Sequence, residues 1–207
     1  MESDAEAMFQ NWASSAENLT YVTWNPHPDV EVTRNSIRNW VASYANPNYY
    51  KWAIYLKENP EQVIGDISIV EMNEDYSSCE IGYFLGKNYW GRGIMTEALK
   101  TVLDFCFTQA GFQKVRARYA SLNPASGRVM EKAGMSYLKT IANGVERKDY
   151  VADLIYYQIS REDRWFLFYF YQSQILSGFF CARFLNKLIK FLFFPIIVPV
   201  FSGVLGL

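Results

Sequence analysis

The sequence predicts an α+β domain in which helices flank a mixed, mostly antiparallel sheet. Several apolar runs lie between short polar turns, which is typical of strands in a meander. Other stretches repeat apolar residues every three or four positions, as amphipathic helices do. The 207 residues are 50% hydrophobic and 20% charged, with 7 prolines and 12 glycines, which excludes a disordered or disulfide-rich chain.

The N-terminal part predicts two helices separated by a loop. A capped helix start lies at Ser3 or Asp4 and leads into an amphipathic stretch. Two prolines and several aromatic residues predict a loop at 21–28. Thr33 is the expected cap of the second helix, which should end near 46–47.

Three strands are predicted next, at 50–57, 63–70 and 79–85. The segments between them, 58–61 and 72–75, are short and carry Asn, Pro, Asp and Glu. Such short polar connections predict an antiparallel meander.

The most regular helix follows the glycine loop 91–93 and ends at Gly111. A strand at 115–121 and a short helix at 123–134, with proline near its first turn, come next. The apolar residues that share one face of the long helix are Ile94, Ala98, Val102, Leu103 and Cys106.

The last two strands are predicted at 135–141 and 150–159, with a turn through Asn143-Gly144 after the first. The element order is therefore α, α, β, β, β, α, β, α, β, β. The sequence contains no internal repeat.

Composition divides the chain into two parts. All 21 acidic residues lie in 1–164, whereas 165–207 is apolar and rich in aromatic residues, with Arg183, Lys187 and Lys190 as its charges. We expect a globular domain at 1–164 and an apolar tail that either contacts a membrane peripherally or is not native to the domain. The acidic start lacks the features of a secretory signal, which predicts a cytoplasmic protein.

Charge and ligand counts exclude two classes of site. The 20 basic and 21 acidic residues nearly cancel and no basic block occurs, so no nucleic-acid partner is expected. The three cysteines are far apart and His27 is the only histidine, so no metal site is expected.

Residues 90–96, Trp-Gly-Arg-Gly-Ile-Met-Thr, lie where a strand ends and a helix begins. Helix-start N–H groups, the helix dipole and glycines that let a ligand approach the backbone favour a pyrophosphate here. An ordinary strand-to-helix turn is the alternative. The loop matches neither the dinucleotide fingerprint nor the Walker motif.

A second motif makes the resemblance to a known family specific. Asn-Pro-Ala-Ser at 123–126 precedes Glu-Lys-Ala-Gly at 131–134, and both follow Glu-Ile-Gly-Tyr at 80–83 and the loop at 89–94. Over 3–163 the chain resembles the GNAT superfamily of N-acetyltransferases, most closely its branch that acetylates the N-termini of ribosomal proteins.

The resemblance implies acetyl-CoA as cosubstrate, bound where strands 79–85 and 115–121 separate. The glycine loop would bind its pyrophosphate, with Arg92 as an added cation, and main-chain groups of the first strand would pair with the pantetheine arm. The implied cofactor contacts are Phe84, Leu85, Trp90, Gly91, Arg92, Gly93, Ile94, Met95, Thr96 and Asn123.

Two residues are candidates for proton transfer. Glu80 is the expected base, because a carboxylate partly buried on a strand has a raised pKa; a charge facing solvent is the alternative. Many relatives protonate the leaving thiolate with a tyrosine at the position of Met130. The ribosomal branch suggests Ser126 instead, with helix capping as the alternative role of Ser126 and Asn123.

The acceptor is expected to be a primary amine that attacks acetyl-CoA directly in a ternary complex. Trp24, His27, Trp40 and Tyr137 are candidate wall residues, with ordinary packing as the alternative. The acidic domain suits a cationic acceptor: a protein N-terminus such as that of a ribosomal protein, a polyamine or an aminoglycoside. Alternative functions are a catalytically impaired acyl-CoA-binding module and a membrane-associated protein acting through the tail.

The sequence departs from the family at three places. Asn88 stands where a glutamine or arginine is common, which predicts a weaker phosphate contact. The usual first strand is absent before the first helix, so either the start is truncated or the sheet has lost that edge strand. The apolar segment 165–207 is the third departure.

Overall fold

A six-stranded sheet forms the centre of the protein in the computed structural model, which describes residues 1–164 apart from 23 and 148. The predictions for 165–207 lie outside the described residues. The strands are Lys51–Leu56 (β1), Asn59–Met72 (β2), Ser78–Leu85 (β3), Lys114–Ala120 (β4), Ser136–Glu146 (β5) and Val151–Ser160 (β6).

The strand order is β1-β2-β3-β4-β6-β5. The pairs β1–β2 and β2–β3 are antiparallel, which confirms the predicted meander, and β4–β6 and β5–β6 are antiparallel as well. The pair β3–β4 is parallel. The expected mixed, mostly antiparallel sheet is therefore confirmed.

Helices cover both faces of this sheet. The helices are Ala5–Met8 (α1), which continues as a π-helical turn over Phe9–Ala13, Val30–Ser43 (α2), Ile94–Thr108 (α3) and Pro124–Lys132 (α4). The five apolar residues predicted on one face of α3 are all buried.

The two faces of the sheet bury different helices. Leu99 and Leu103 of α3 are fully buried against one face. Trp12 from the segment after α1, together with Ile37 of α2, is buried in a second cluster on the other face. Each fully buried large apolar side chain contributes about 1.5–3 kcal/mol to stability, so both layers hold the strands in place.

Two local predictions are wrong. The cap of α2 is Asp29, whose carboxylate accepts the N–H of Val32 at 2.9 Å, because the Thr33 hydroxyl is buried and bonds to His27. The predicted turn at Asn143-Gly144 is an irregularity within β5, since the chain reverses later, where the N–H of Arg147 donates to the carbonyl of Tyr150.

The outer strand β1 pairs with β2 on one side. Within the part of the chain that the structure describes, no strand pairs with its other side, as expected from the missing first strand. The same part contains no helix with the length and apolar character needed to cross a membrane.

Candidate active site

The parallel strands β3 and β4 separate before they end. Their pairing stops at Ile81 and Ala117, yet β3 continues to Leu85 and β4 to Ala120. A cavity of about 320 Å³ lies at the separation. The edge of β3 that faces β4 is no longer paired there, so an extended ligand can bind to it as an added strand.

The structure brings most of the predicted cofactor residues together around this cavity. They come from the end of β3, from the glycine loop, from the first turn of α3 and from the start of α4. The predicted residues that line it are Phe84, Leu85, Trp90, Gly91, Gly93, Ile94, Met95, Thr96, Asn123 and Ser126.

The N-terminus of α3 forms the mouth of the cavity. Gly91 and Gly93 have φ values of +73° and +82°, which glycine adopts without strain. The N–H of Glu97 donates to the carbonyl of Gly93, so the N–H groups of 94–96 precede the first intrahelical bond. These groups and the dipole of the 15-residue helix favour an anion at the mouth.

Trp90 and Arg92 occupy different positions at this mouth. The indole N–H of Trp90 donates to the carbonyl of Leu85 at 2.7 Å, which ties the loop to β3. The Arg92 side chain is 50% exposed, lies 4.0 Å from Glu58 and stands outside the cavity lining. The structure therefore places Arg92 at the rim.

Three cationic residues of the cavity were missed by sequence analysis. Arg128 and Lys132 of α4 line it, and their spacing of four puts them on one face of the helix. Counting helical positions from Asn123 could have found them. The third, Arg118 of β4, is paired with Glu80, so Arg128 and Lys132 are the cations of the lining that suit phosphate groups.

Ser126 lies inside the cavity at the start of α4. The side chain of Asn123 caps this helix by accepting the N–H of Ser126 at 3.3 Å. The hydroxyl of Ser126 lies 2.8 Å from the hydroxyl of Tyr83, on the opposite wall. Tyr83 belongs to the Glu-Ile-Gly-Tyr motif but had no predicted role, and burial raises the pKa of its phenol above the usual range.

Glu80 is buried and paired with a cation. Its carboxylate lies 2.8 Å from Nε of Arg118, and its side chain is 8% exposed. Burial raises the pKa of Glu80, while the charges of Arg118 and Arg116 oppose this rise. Arg118 lines the cavity and Glu80 does not, so the carboxylate stands behind the guanidinium.

The four predicted acceptor residues do not form one wall. Trp24 and His27 contact each other, with ring centres 5.3 Å apart, and Trp24 also lies near Phe84. Trp40 lies instead over the ammonium of Lys51. Tyr137 is 61% exposed on β5.

His27, which contacts Trp24, also has a structural hydrogen-bond partner. Its Nδ1 lies 2.8 Å from the hydroxyl of buried Thr33, and burial lowers the pKa of the imidazole. Across residues 1–164, excluding 23 and 148, no group of three or more His, Cys, Asp or Glu side chains could hold a metal ion.

Comparison with known proteins identifies relatives of the described domain. A family profile described as "Acetyltransferase (GNAT) domain" matches residues 1–136. An "Uncharacterized N-acetyltransferase p20" from Bacillus licheniformis is 31% identical over 125 residues, which are 59% of this chain and 68% of that protein.

Two solved structures share the fold. A GNAT-family acetyltransferase from Bacillus anthracis is 24% identical, with a TM-score of 0.67, over 78% of this chain and 92% of that one. RimL, a ribosomal L7/L12 alpha-N-protein acetyltransferase in complex with coenzyme A, is 17% identical, with a TM-score of 0.68, over 77% of this chain and 90% of that one.

Proposed function

The chain belongs to the acetyltransferase (GNAT) family, and on that premise we propose that its acceptor is the α-amino group of a protein N-terminus. It is an acetyl-CoA-dependent N-acetyltransferase. Acetyl-CoA supplies the thioester: the amine nitrogen bonds to the acetyl carbon, the carbon–sulfur bond breaks and the sulfur leaves as a thiolate. The residues of this chain must bind the cosubstrate and manage two protons.

The cavity fits acetyl-CoA in shape and charge. We assign the pyrophosphate to the N–H groups of 94–96, with Arg128 and Lys132 of α4 as added cations of the lining. The unpaired edge of β3 at 84–85 would hold the pantetheine amides. Asn123 would bind the same arm while it caps α4.

Ser126 would donate a proton to the departing thiolate. Its hydroxyl lies within the cavity lining, beyond the point where β3 and β4 separate, on the wall that faces the proposed pantetheine path. Met130, four residues later, is buried and has no proton to give. Ser126 is therefore the assigned donor from α4.

Glu80 would receive the proton that the amine loses. Because its carboxylate stands behind Arg118, we propose transfer through a water molecule rather than direct contact. Its raised pKa, which burial causes, brings this base nearer to neutral pH than an exposed glutamate.

The position of Arg118 carries the proposal for the acceptor. This cation lines the cavity beside the proposed base, and it also bonds to the hydroxyl of Tyr156 at 3.0 Å. Lys139 lies over the same tyrosine ring, 5.0 Å from its centre. Glu80 offsets one charge here, and the added cations Arg116 and Lys139 keep the region positive, which disfavours a polyamine although the domain as a whole is acidic.

A protein N-terminus fits this local charge better. Carbonyl and carboxylate groups after the α-amine can contact Arg118, whereas the second and third ammonium groups of spermidine would be repelled by it. The likeness to RimL, an alpha-N-protein acetyltransferase, supports the same acceptor class.

An acceptor panel tests this proposal. Release of coenzyme A would be measured with peptides that begin with Ser followed by acidic residues, with Ser followed by lysines, and with spermidine. We expect kcat/KM to be about tenfold higher for the acidic peptide than for spermidine. In the Arg118→Gln variant, the ratio of these two kcat/KM values should be smaller.

Arg34 of α2, which is partly exposed, provides the matched control, since Arg34→Gln removes an equal charge outside the cavity. Equal kcat/KM for the peptides and spermidine, or faster transfer to spermidine, would contradict the proposed acceptor.

A further inference from the structure

We propose that Tyr83 is a positioning residue for the reaction, holding the hydroxyl of Ser126 in the orientation that serves the leaving sulfur. This inference rests on the proposed role of Ser126 as proton donor. Tyr83 is neither one of the proposed cofactor contacts nor the proposed base, so this role is a separate one.

The contact between the two residues joins two elements that line the cofactor cavity. Tyr83 lies two residues beyond Ile81, where the pairing of β3 with β4 stops, and Ser126 lies in the first turn of α4. The hydroxyl of Tyr83 is 2.8 Å from Oγ of Ser126 and 3.0 Å from its carbonyl oxygen. A single phenol thus contacts both the main chain and the side chain of the serine.

The protons on these groups allow two arrangements. The phenol of Tyr83 donates either to the carbonyl of Ser126 or to its Oγ, because it has one proton. In the first arrangement the serine hydroxyl donates to the phenol oxygen. In the second, the serine receives the phenol's hydrogen bond and its own proton is directed away from Tyr83.

The second arrangement is the one that serves the reaction. As the carbon–sulfur bond breaks, the thiolate takes the proton of Ser126, and the phenol's hydrogen bond stabilises the serine oxygen that remains. A water molecule then returns a proton to Ser126, and the hydroxide left behind takes the proton that Glu80 received from the amine, so both residues return to their starting states. Tyr83 keeps its own proton throughout, as expected for a phenol whose pKa burial raises.

A double-mutant cycle tests the coupling between the two residues. Tyr83→Phe should lower kcat about tenfold, with the KM for acetyl-CoA and the melting temperature nearly unchanged, because only a hydroxyl is removed. Ser126→Ala should lower kcat at least as much. The double variant should be no slower than Ser126→Ala, since Tyr83 acts through the serine.

The matched control is Tyr76→Phe, because Tyr76 is exposed in the turn between β2 and β3 and lies outside the cavity lining. This variant should keep the wild-type kcat. A binding measurement adds a test without turnover: coenzyme A should bind more tightly than its desulfo analogue, and Tyr83→Phe should reduce that preference.

Different results would overturn different claims. Independent, multiplicative losses of kcat for the two single variants would contradict the positioning role, as would a Tyr83→Phe variant that loses affinity and stability together with kcat. An unchanged kcat in Ser126→Ala would show that Ser126 is not the proton donor. The positioning role of Tyr83 would then be contradicted as well. A wrong acceptor class would change the preferred amine in the panel but not the coupling.

Discussion

The mouth and the interior of the cofactor cleft are built by different parts of the chain. At the mouth, residues 94–96 after the glycine loop offer main-chain N–H groups from consecutive residues. In the interior, side chains from β3, β4 and α4 meet: Tyr83 with Ser126, and Glu80 with Arg118. Binding at the mouth depends on one local backbone conformation, whereas chemistry in the interior depends on contacts between distant positions.

Gly93→Glu should cause the largest effect, because it changes the mouth alone. The left-handed conformation at φ +82° strains any other residue, and the added carboxylate repels a pyrophosphate. Relief of that strain displaces the N–H groups of the mouth, and with the charge repulsion it costs about 4 kcal/mol of binding free energy, which is about a thousandfold in affinity. Coenzyme A should therefore no longer raise the melting temperature, as thermal unfolding with and without coenzyme A would reveal.

Gly111→Glu is the matched control for strain and charge. Gly111 has a φ of +83°, lies after α3 and stands outside the cavity lining. This variant should be destabilised and still respond to coenzyme A. A Gly93→Glu protein that retains the full thermal shift would show that the mouth does not bind the pyrophosphate.

Glu80→Gln tests the interior through the pH dependence of the reaction. A base works when ionised, so kcat should rise with pH through the pKa of Glu80, which burial raises. The amide cannot accept the proton, so kcat should fall about a hundredfold and its acidic limb should flatten. Affinity for coenzyme A should change little, because the mouth is intact.

Arg118→Gln sharpens this pH test. The guanidinium of Arg118 opposes the rise in the pKa of Glu80, so its removal should move the acidic limb to higher pH. A pH–rate profile that is identical in wild type, Glu80→Gln and Arg118→Gln would assign Glu80 a structural role.

Asn123→Ser should produce the smallest effect and tests whether one residue serves both regions. Serine can replace the cap of α4, so the free energy of unfolding should change by only a few tenths of a kcal/mol. Loss of the amide should weaken coenzyme A binding a few-fold, to be measured by titration calorimetry. If the affinity for coenzyme A is unchanged, Asn123 acts only as the cap of α4. Asn123→Ala should then differ from the wild type only in its free energy of unfolding.

The sequence predicted those features that depend on local periodicity or local backbone shape. The apolar face of α3, with Ala98, Val102 and Cys106 among its members, follows from a repeat of three and four residues and is buried as expected. The glycines of 91–93 indicated a strand-to-helix junction because the positive φ values there are a property of the local backbone.

Features that depend on tertiary contacts were harder to predict. Thr33 has the right chemistry for a cap, but the fold uses its hydroxyl for His27, and Asp29 takes the cap instead. Tyr83 was missed because its partner, Ser126, is 43 residues away and comes close only when α4 packs beside the separated strands. Spacing within one motif gives no sign of such a contact.

The hydrogen bond from the indole of Trp90 to the carbonyl of Leu85 places a fluorescent side chain at the glycine loop. That indole is 43% exposed, and it binds a carbonyl on the strand edge proposed for the pantetheine arm. An arriving ligand competes for the carbonyl and changes the polarity around the ring. Occupancy of the cleft should therefore change the emission of Trp90, so ligand binding is expected to be measurable without any label attached to the protein.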